Sequence, residues 1–224
     1  MMRWTDLFAL VGLDVVICAV LLNLVIRWFP AALNAHASGG RFNRRVAGVV
    51  VVALVCLWIP AGSAMLPLLA YVRGIGADLS ITSVMLACLA LYRQLWHHSR
   101  LQSDEWLWLY VAMLLAAAVL YPTALGWGDW DAYRAGWGSW VFLMGLALAA
   151  LAAFCAGLWL LPLALAAAVL AWTLGLLESG NVWDYLLDPW LVLLACGQLL
   201  VASIAFWRRR HAGLQSPSIL QRFL

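Results

Sequence analysis

The chain has 224 residues, of which 67% are hydrophobic and 10% charged, with a formal net charge of +3 and a mean hydropathy of +0.95. A soluble domain is roughly 45–50% apolar and about 25% charged, so a water-soluble fold of this length would have too much apolar surface to hide. All thirteen basic residues are arginine, which excludes lysine Schiff-base chemistry with retinal or pyridoxal phosphate.

A spanning helix needs roughly 20 apolar residues, and the apolar runs predict an all-α polytopic transmembrane bundle of about seven spans. The first span covers about 7–29, closed by Pro30. Ala35-His36-Ala37 resembles a signal-peptidase site, but the preceding run exceeds the roughly 7–15 residues of a signal core and contains Asp14. The second span, about 46–70, holds Pro60, Gly62 and Pro67. The third, about 79–96, is the least apolar, with Ser80, Thr82 and Ser83 early and Arg93 late. The fourth covers about 106–125. The next apolar stretch is too long for one helix, and dividing it at Gly157 gives spans of about 140–158 and 159–177. Pro162 then falls in a first helical turn, where its missing N–H is tolerated. The seventh span is about 186–207, followed by a short tail, 208–224, that opens on Arg208-Arg209-Arg210.

Arginine placement sets the orientation. With the N-terminus outside and the C-terminus in the cytoplasm, ten arginines lie inside and only Arg3, Arg73 and Arg134 outside. The expected location is the inner (plasma) membrane. The five cysteines each sit within a different apolar run and read as small buried residues; no metal site and no cofactor are expected. Gly145, Ala149, Ala153 and Gly157 recur every four residues, as do Ala167, Ala171 and Gly175. Such small-residue faces let helices approach closely in lipid, either as a hairpin of the fifth and sixth helices or as a face for a protein partner. The expected surroundings are the lipid bilayer, with no nucleic acid.

Two outer loops carry most of the unusual chemistry. One holds Asp129, Asp131, Tyr133 and Arg134 among tryptophans and glycines; the other holds Asn181, Trp183, Asp184 and Asp188. Aromatic faces beside carboxylates suit sugar or lipid headgroups, amines or a partner, and paired carboxylates can serve as acid and base. Interfacial aromatics and turn-forming aspartates account for the same residues without any ligand. Asp14 lies roughly 10 Å into the first span at 1.5 Å per residue, a costly depth for an ionisable group. The break at Pro60, Gly62 and Ser63 would free backbone carbonyls within the second span, as broken transporter helices do.

These features lead to three expectations of different class. The first is a non-catalytic membrane component of envelope (glycan or lipid) assembly or of a membrane complex, using an outer acidic-aromatic face. The second is a small proton- or cation-coupled transporter built on Asp14 and the broken helix. The third is a membrane-embedded enzyme working through the outer carboxylates.

Overall fold

The computed structural model describes residues 3–28, 44–62, 65–76, 78–96 and 103–214. Ser63, the Ala35–Ala37 segment, Arg41, His97 and His98 lie outside the described residues.

The chain is built from helices joined by short turns. They are α1 (Trp4–Trp28), α2 (Arg44–Cys56), α3 (Leu68–Gly76), α4 (Ile81–Trp96), α5 (Ser103–Ala124), α6 (Ala132–Ala135), α7 (Trp140–Cys155), α8 (Leu160–Thr173), α9 (Val182–Leu186) and α10 (Pro189–Leu214). Strands β1 (Pro60–Ala61) and β2 (Leu66–Pro67) pair antiparallel, Pro60 opposite Pro67. Among the described residues, three helices are long and apolar enough to cross a membrane: Trp4–Trp28, Glu105–Ala124 and Pro189–Arg208. Shorter apolar helices cover Ile81–Leu95, Trp140–Cys155 and Leu160–Thr173.

Packing places the helix ends in two groups. Asp6 at the start of α1 meets Arg73 near the end of α3 and, through it, Asp78 ahead of α4. Leu22, late in α1, packs with Val50 of α2 and Leu91 and Leu95 of α4, so α1 and α4 run parallel. Glu105 at the start of α5 bonds to the start of α8, while Asp188 ahead of α10 bonds to Ser80. One end of the bundle therefore gathers Asp6, Arg73, Asp78, α6, α9 and Asp188. We call it the acidic end. The opposite, arginine end carries Arg27, Arg93 and the turn between α7 and α8.

The main core joins α4, α5, α8 and α10 around Leu86, Leu109, Met113, Leu160, Ala168 and Leu191, and runs up under α9 through Val182 and Tyr185. Outside this core the surface stays apolar. Val52, Val55, Val141, Leu148, Leu193 and Val201 are all exposed, and lipid rather than water suits such an exterior.

The second apolar run is interrupted more sharply than a kinked helix would be. α2 ends at Cys56, and the chain makes a hairpin through Pro60–Pro67 before α3 begins. Pro60 and Pro67 cannot continue a helical hydrogen-bond ladder. The groups released by the break are satisfied nearby: the Leu57 carbonyl accepts from Leu69 N, and the Ala61 carbonyl from the Tyr71 hydroxyl at 2.9 Å.

Between α7 and α8 the chain turns at Gly157, whose φ of +77° is costly for any residue with a Cβ. The small-residue stripes turn inward only in part, through Ala153, Ala167 and Ala171. Gly145 and Ala149 face outward, and a Cβ placed on Gly145 would meet nothing within 4 Å. Instead α7 packs inward through Phe142, Leu143, Leu146, Ala150 and Ala153, and α8 through Leu160, Ala164, Ala168 and Ala171. Bulky side chains of α7 and small ones of α8 both enter the core, where mixed sizes fill space well. The cysteines also differ from expectation. Cys18 is buried, but Cys56, Cys88, Cys155 and Cys196 are exposed on the apolar exterior, where a small weakly polar side chain costs little in lipid.

Candidate functional site

The acidic end is a closely bonded cap. Arg73 donates to Asp6 at 2.7 Å and to Asp78 at 2.6 and 3.2 Å, and Glu178 stands 3.8 Å away. One guanidinium thus joins the start of α1, the entry to α4 and the loop after α8.

Asp188 is buried and accepts four hydrogen bonds. Its Oδ2 takes the Ser80 backbone N–H at 2.9 Å and the hydroxyls of Ser80 and Ser83 at 2.6 and 2.5 Å. Its Oδ1 takes Leu191 N at 2.8 Å. Residue 188 directly precedes Pro189, the first residue of α10, in the ordinary N-cap position. The same carboxylate satisfies the start of α4, fastening two helix N-termini that are 108 residues apart in sequence.

The two loops at the acidic end interlock. Buried Asn181 donates to the Tyr133 carbonyl at 2.9 Å and accepts from Trp183 N at 3.0 Å. The Trp183 indole donates to the Ala132 carbonyl, and Val182 N to the Gly136 carbonyl, both at 2.9 Å. The Tyr133 hydroxyl donates to Asp184 at 2.9 Å, and the Ser179 hydroxyl donates to the same oxygen. Burial, reinforced by the Asp184 carboxylate, pushes the Tyr133 phenol up from its usual pKa. Gly136 is required by proximity: a Cβ there would lie 1.8 Å from Asn181 Oδ1. Asp131 caps α6 by accepting from Tyr133 N at 2.9 Å. Asp129 and Arg134 point outward, with exposed Trp127, Trp130, Trp137 and Trp140 around them.

No protein-family model matches this chain, and no curated protein or solved structure is similar to it. The chemistry of the site therefore rests on its own geometry.

Asp14 is buried on α1 and accepts from the Trp58 indole at 2.9 Å, with the Cys18 thiol 3.8 Å away. Trp58 lies in the turn that opens the Pro60 break, so Asp14 and the interrupted second run meet. Pro60 and Gly62 form the far side of that hairpin, where the Tyr71 hydroxyl would stand 2.7 Å from a Cβ on Gly62.

Between the α1–α4 pair and the α5–α10 pair lies an apolar cleft of about 470 Å³, within the ~300–1,000 Å³ of small-molecule sites. Leu13, Asn23, Ala87, Ala90, Trp106 and Gln198 are among its walls. Asp14 is not, because it turns toward Trp58. Asn23 lines the cleft from a different face of α1, as nine residues of helical rotation require.

Sequence reasoning missed Arg73, Ser80, Ser83, Trp58, Glu105 and the cleft. Ser80-x-x-Ser83 ahead of an apolar run has the form of a helix-start signal, and it was readable as a polar partner. Glu105 is buried, accepting from Trp159 N at 3.2 Å and Leu160 N at 3.0 Å to cap α8. Its place in a charged loop gives no hint of that.

Proposed function

We propose that the chain is a seven-pass inner-membrane protein with its acidic end outside, acting as a non-catalytic docking component of envelope assembly or of a membrane complex. Counting α2 and α3 as one pass, α1, α2–α3, α4, α5, α7, α8 and α10 alternate between the two ends, in keeping with seven crossings. The observation that carries the docking role is the interlocked cap. Its buried polar groups bond inward, so the loops are held in one shape while Trp127, Trp130, Trp137 and Trp140 remain exposed. Aromatic anchors on a preorganised surface bind at low entropic cost.

The test is purification in mild detergent after crosslinking, comparing the native chain with Trp130→Ala/Trp137→Ala. A partner or headgroup-bearing lipid that co-purifies with the former and is lost from the latter supports the proposal. Recovery of the chain alone in both cases refutes it.

A second reading draws on the Asp14–Trp58 contact, which joins a membrane-depth carboxyl to a broken helix as a proton- or cation-coupled transporter would need. Proteoliposomes with an internal pH dye test it: a proton leak or uptake abolished by Asp14→Asn is the required result. The enzyme reading has less to draw on. Asp184 and Asp188 bond to different partners, Tyr133 with Ser179 and Ser80 with Ser83, and Asp131 serves as a helix cap.

A further inference from the structure

We propose that the apolar cleft holds one acyl chain of an anionic phospholipid, whose phosphate is gripped at the arginine end by Arg27 and Arg93. The proposal rests on the chain spanning a bilayer and is independent of the docking role of the acidic end.

The wall residues show where the headgroup would sit. On α1 the cleft is lined by Leu13, Val16, Ala19, Val20 and Asn23, and the next residues on that helical stripe are at 26 and 27. On α4 the lining runs through Ser83, Leu86, Ala87 and Ala90, and its next positions are 93 and 94. Both stripes thus lead to an arginine one turn past the last lining residue. Arg27 is exposed, and Arg93 lies over the Trp106 ring at 5.3 Å. The ion pairs among the described side chains belong to Arg73. Trp106 itself lines the cleft, and its buried indole N–H has no acceptor among the described residues. Two cations one turn beyond an apolar lining match a phosphodiester with its chain below.

Charge at the end of an apolar lining favours a lipid chain with an anionic head over a partner's helix. The α1 wall from Leu13 to Asn23 runs about 15 Å. An acyl chain gains little from exchanging bilayer for cleft, because lipid tails are as apolar as leucine. Selectivity must then come from the headgroup, and each arginine near the surface contributes about fivefold.

The experiment is native mass spectrometry of the full chain in detergent with equal dioleoyl phosphatidylglycerol and dioleoyl phosphatidylcholine. The native chain should retain the anionic lipid at least about tenfold over the zwitterionic one. Arg27→Gln/Arg93→Gln should bring the two near parity, and Arg27→Lys/Arg93→Lys should keep most of the preference. Ala90→Trp, which fills the cleft, should remove the retained lipid, and Ala87→Phe repeats that block about one helical turn away should the first variant fold poorly. Trp130→Ala/Trp137→Ala should leave lipid retention unchanged, which separates this proposal from the docking role. Parity in the native chain, a preference that survives loss of both arginines, lipid retained with the cleft blocked, or a second copy of the chain in place of lipid would each overturn it.

Discussion

Replacing Asp188 by alanine should be the most damaging single change at the acidic end. The carboxylate is 4% exposed and accepts from Ser80 N, Ser80 Oγ, Ser83 Oγ and Leu191 N. The two hydroxyls can turn toward each other, since their oxygens already stand 3.3 Å apart. The two backbone N–H groups cannot, and each begins a helix in a buried setting. An N-cap loss costs about 1 kcal/mol and an unsatisfied buried donor about 1–3 kcal/mol. Treating each N–H as one such loss gives about 2–4 kcal/mol, or roughly 5–15 °C in melting temperature for a chain of this size. Asp188→Asn retains one acceptor oxygen and should fall between the native chain and Asp188→Ala. The assay is thermal unfolding in detergent followed by thiol-reactive dye, with Asp129→Ala as the exposed control. Melting of Asp188→Ala within 2 °C of that control, on the same ~2–4 °C per kcal/mol scale, would show that Asp188 does not fasten α4 to α10.

Gly136→Ala should prevent the two loops from docking, because its Cβ would fall 1.8 Å from Asn181 Oδ1; the loss should appear as faster proteolysis within 126–138. Gly145→Ala, with open space around it, should instead leave stability unchanged or raise it by up to about 1 kcal/mol, and a fall in melting temperature would mean that another molecule covers that face. Glu105→Ala should cost about 1–2 kcal/mol by uncapping α8, and Glu105→Gln distinctly less, since the amide oxygen still accepts. Because folding raises the Tyr133 phenol's pKa, its stabilising contribution is complete below about pH 10 and is lost as pH climbs through the folded value. Tyrosinate absorbance and near-ultraviolet circular dichroism should report loosening of the cap in that alkaline range, and Tyr133→Phe should shrink the pH-dependent part. An unchanged alkaline transition in Tyr133→Phe would assign it to another group.

The helical, lipid-solvated character of the chain was legible because it depends on composition and run length, which no tertiary contact alters. The break at Pro60 was legible for the same reason: proline's missing N–H is a local property. Its form was not. Whether Pro60 and Pro67 kink a helix or close a hairpin depends on partners such as Tyr71 and Leu69, which only packing supplies. The acidic loops illustrate the same boundary. Their composition suggested an open mouth, but Asp184 and Asn181 are directed by Tyr133, 51 and 48 residues away, and sequence spacing carries no trace of that pairing. Gly145 and Ala149 mislead for a different reason. A four-residue period identifies a helix face without saying which neighbour it meets, and of this one Ala153 is buried while Gly145 and Ala149 are exposed.

The distribution of acids across the molecule then has a physical origin. Apolar helices joined by short turns leave N–H groups bare at each N-terminus, where little water is at hand to satisfy them. A carboxylate or amide is a compact acceptor for such a group and suits the positive end of the helix dipole. Asp188 serves α10 and α4, Glu105 serves α8, Asp131 serves α6 and Asn181 serves α9. Arg73 ties down Asp6 and Asp78. Among the described residues, those left for contact with other molecules include Asp129, Arg134 and the exposed tryptophans at one end, and the arginines beside the cleft at the other. Function is best sought there, because substitutions at those positions can change binding without first unfastening a helix.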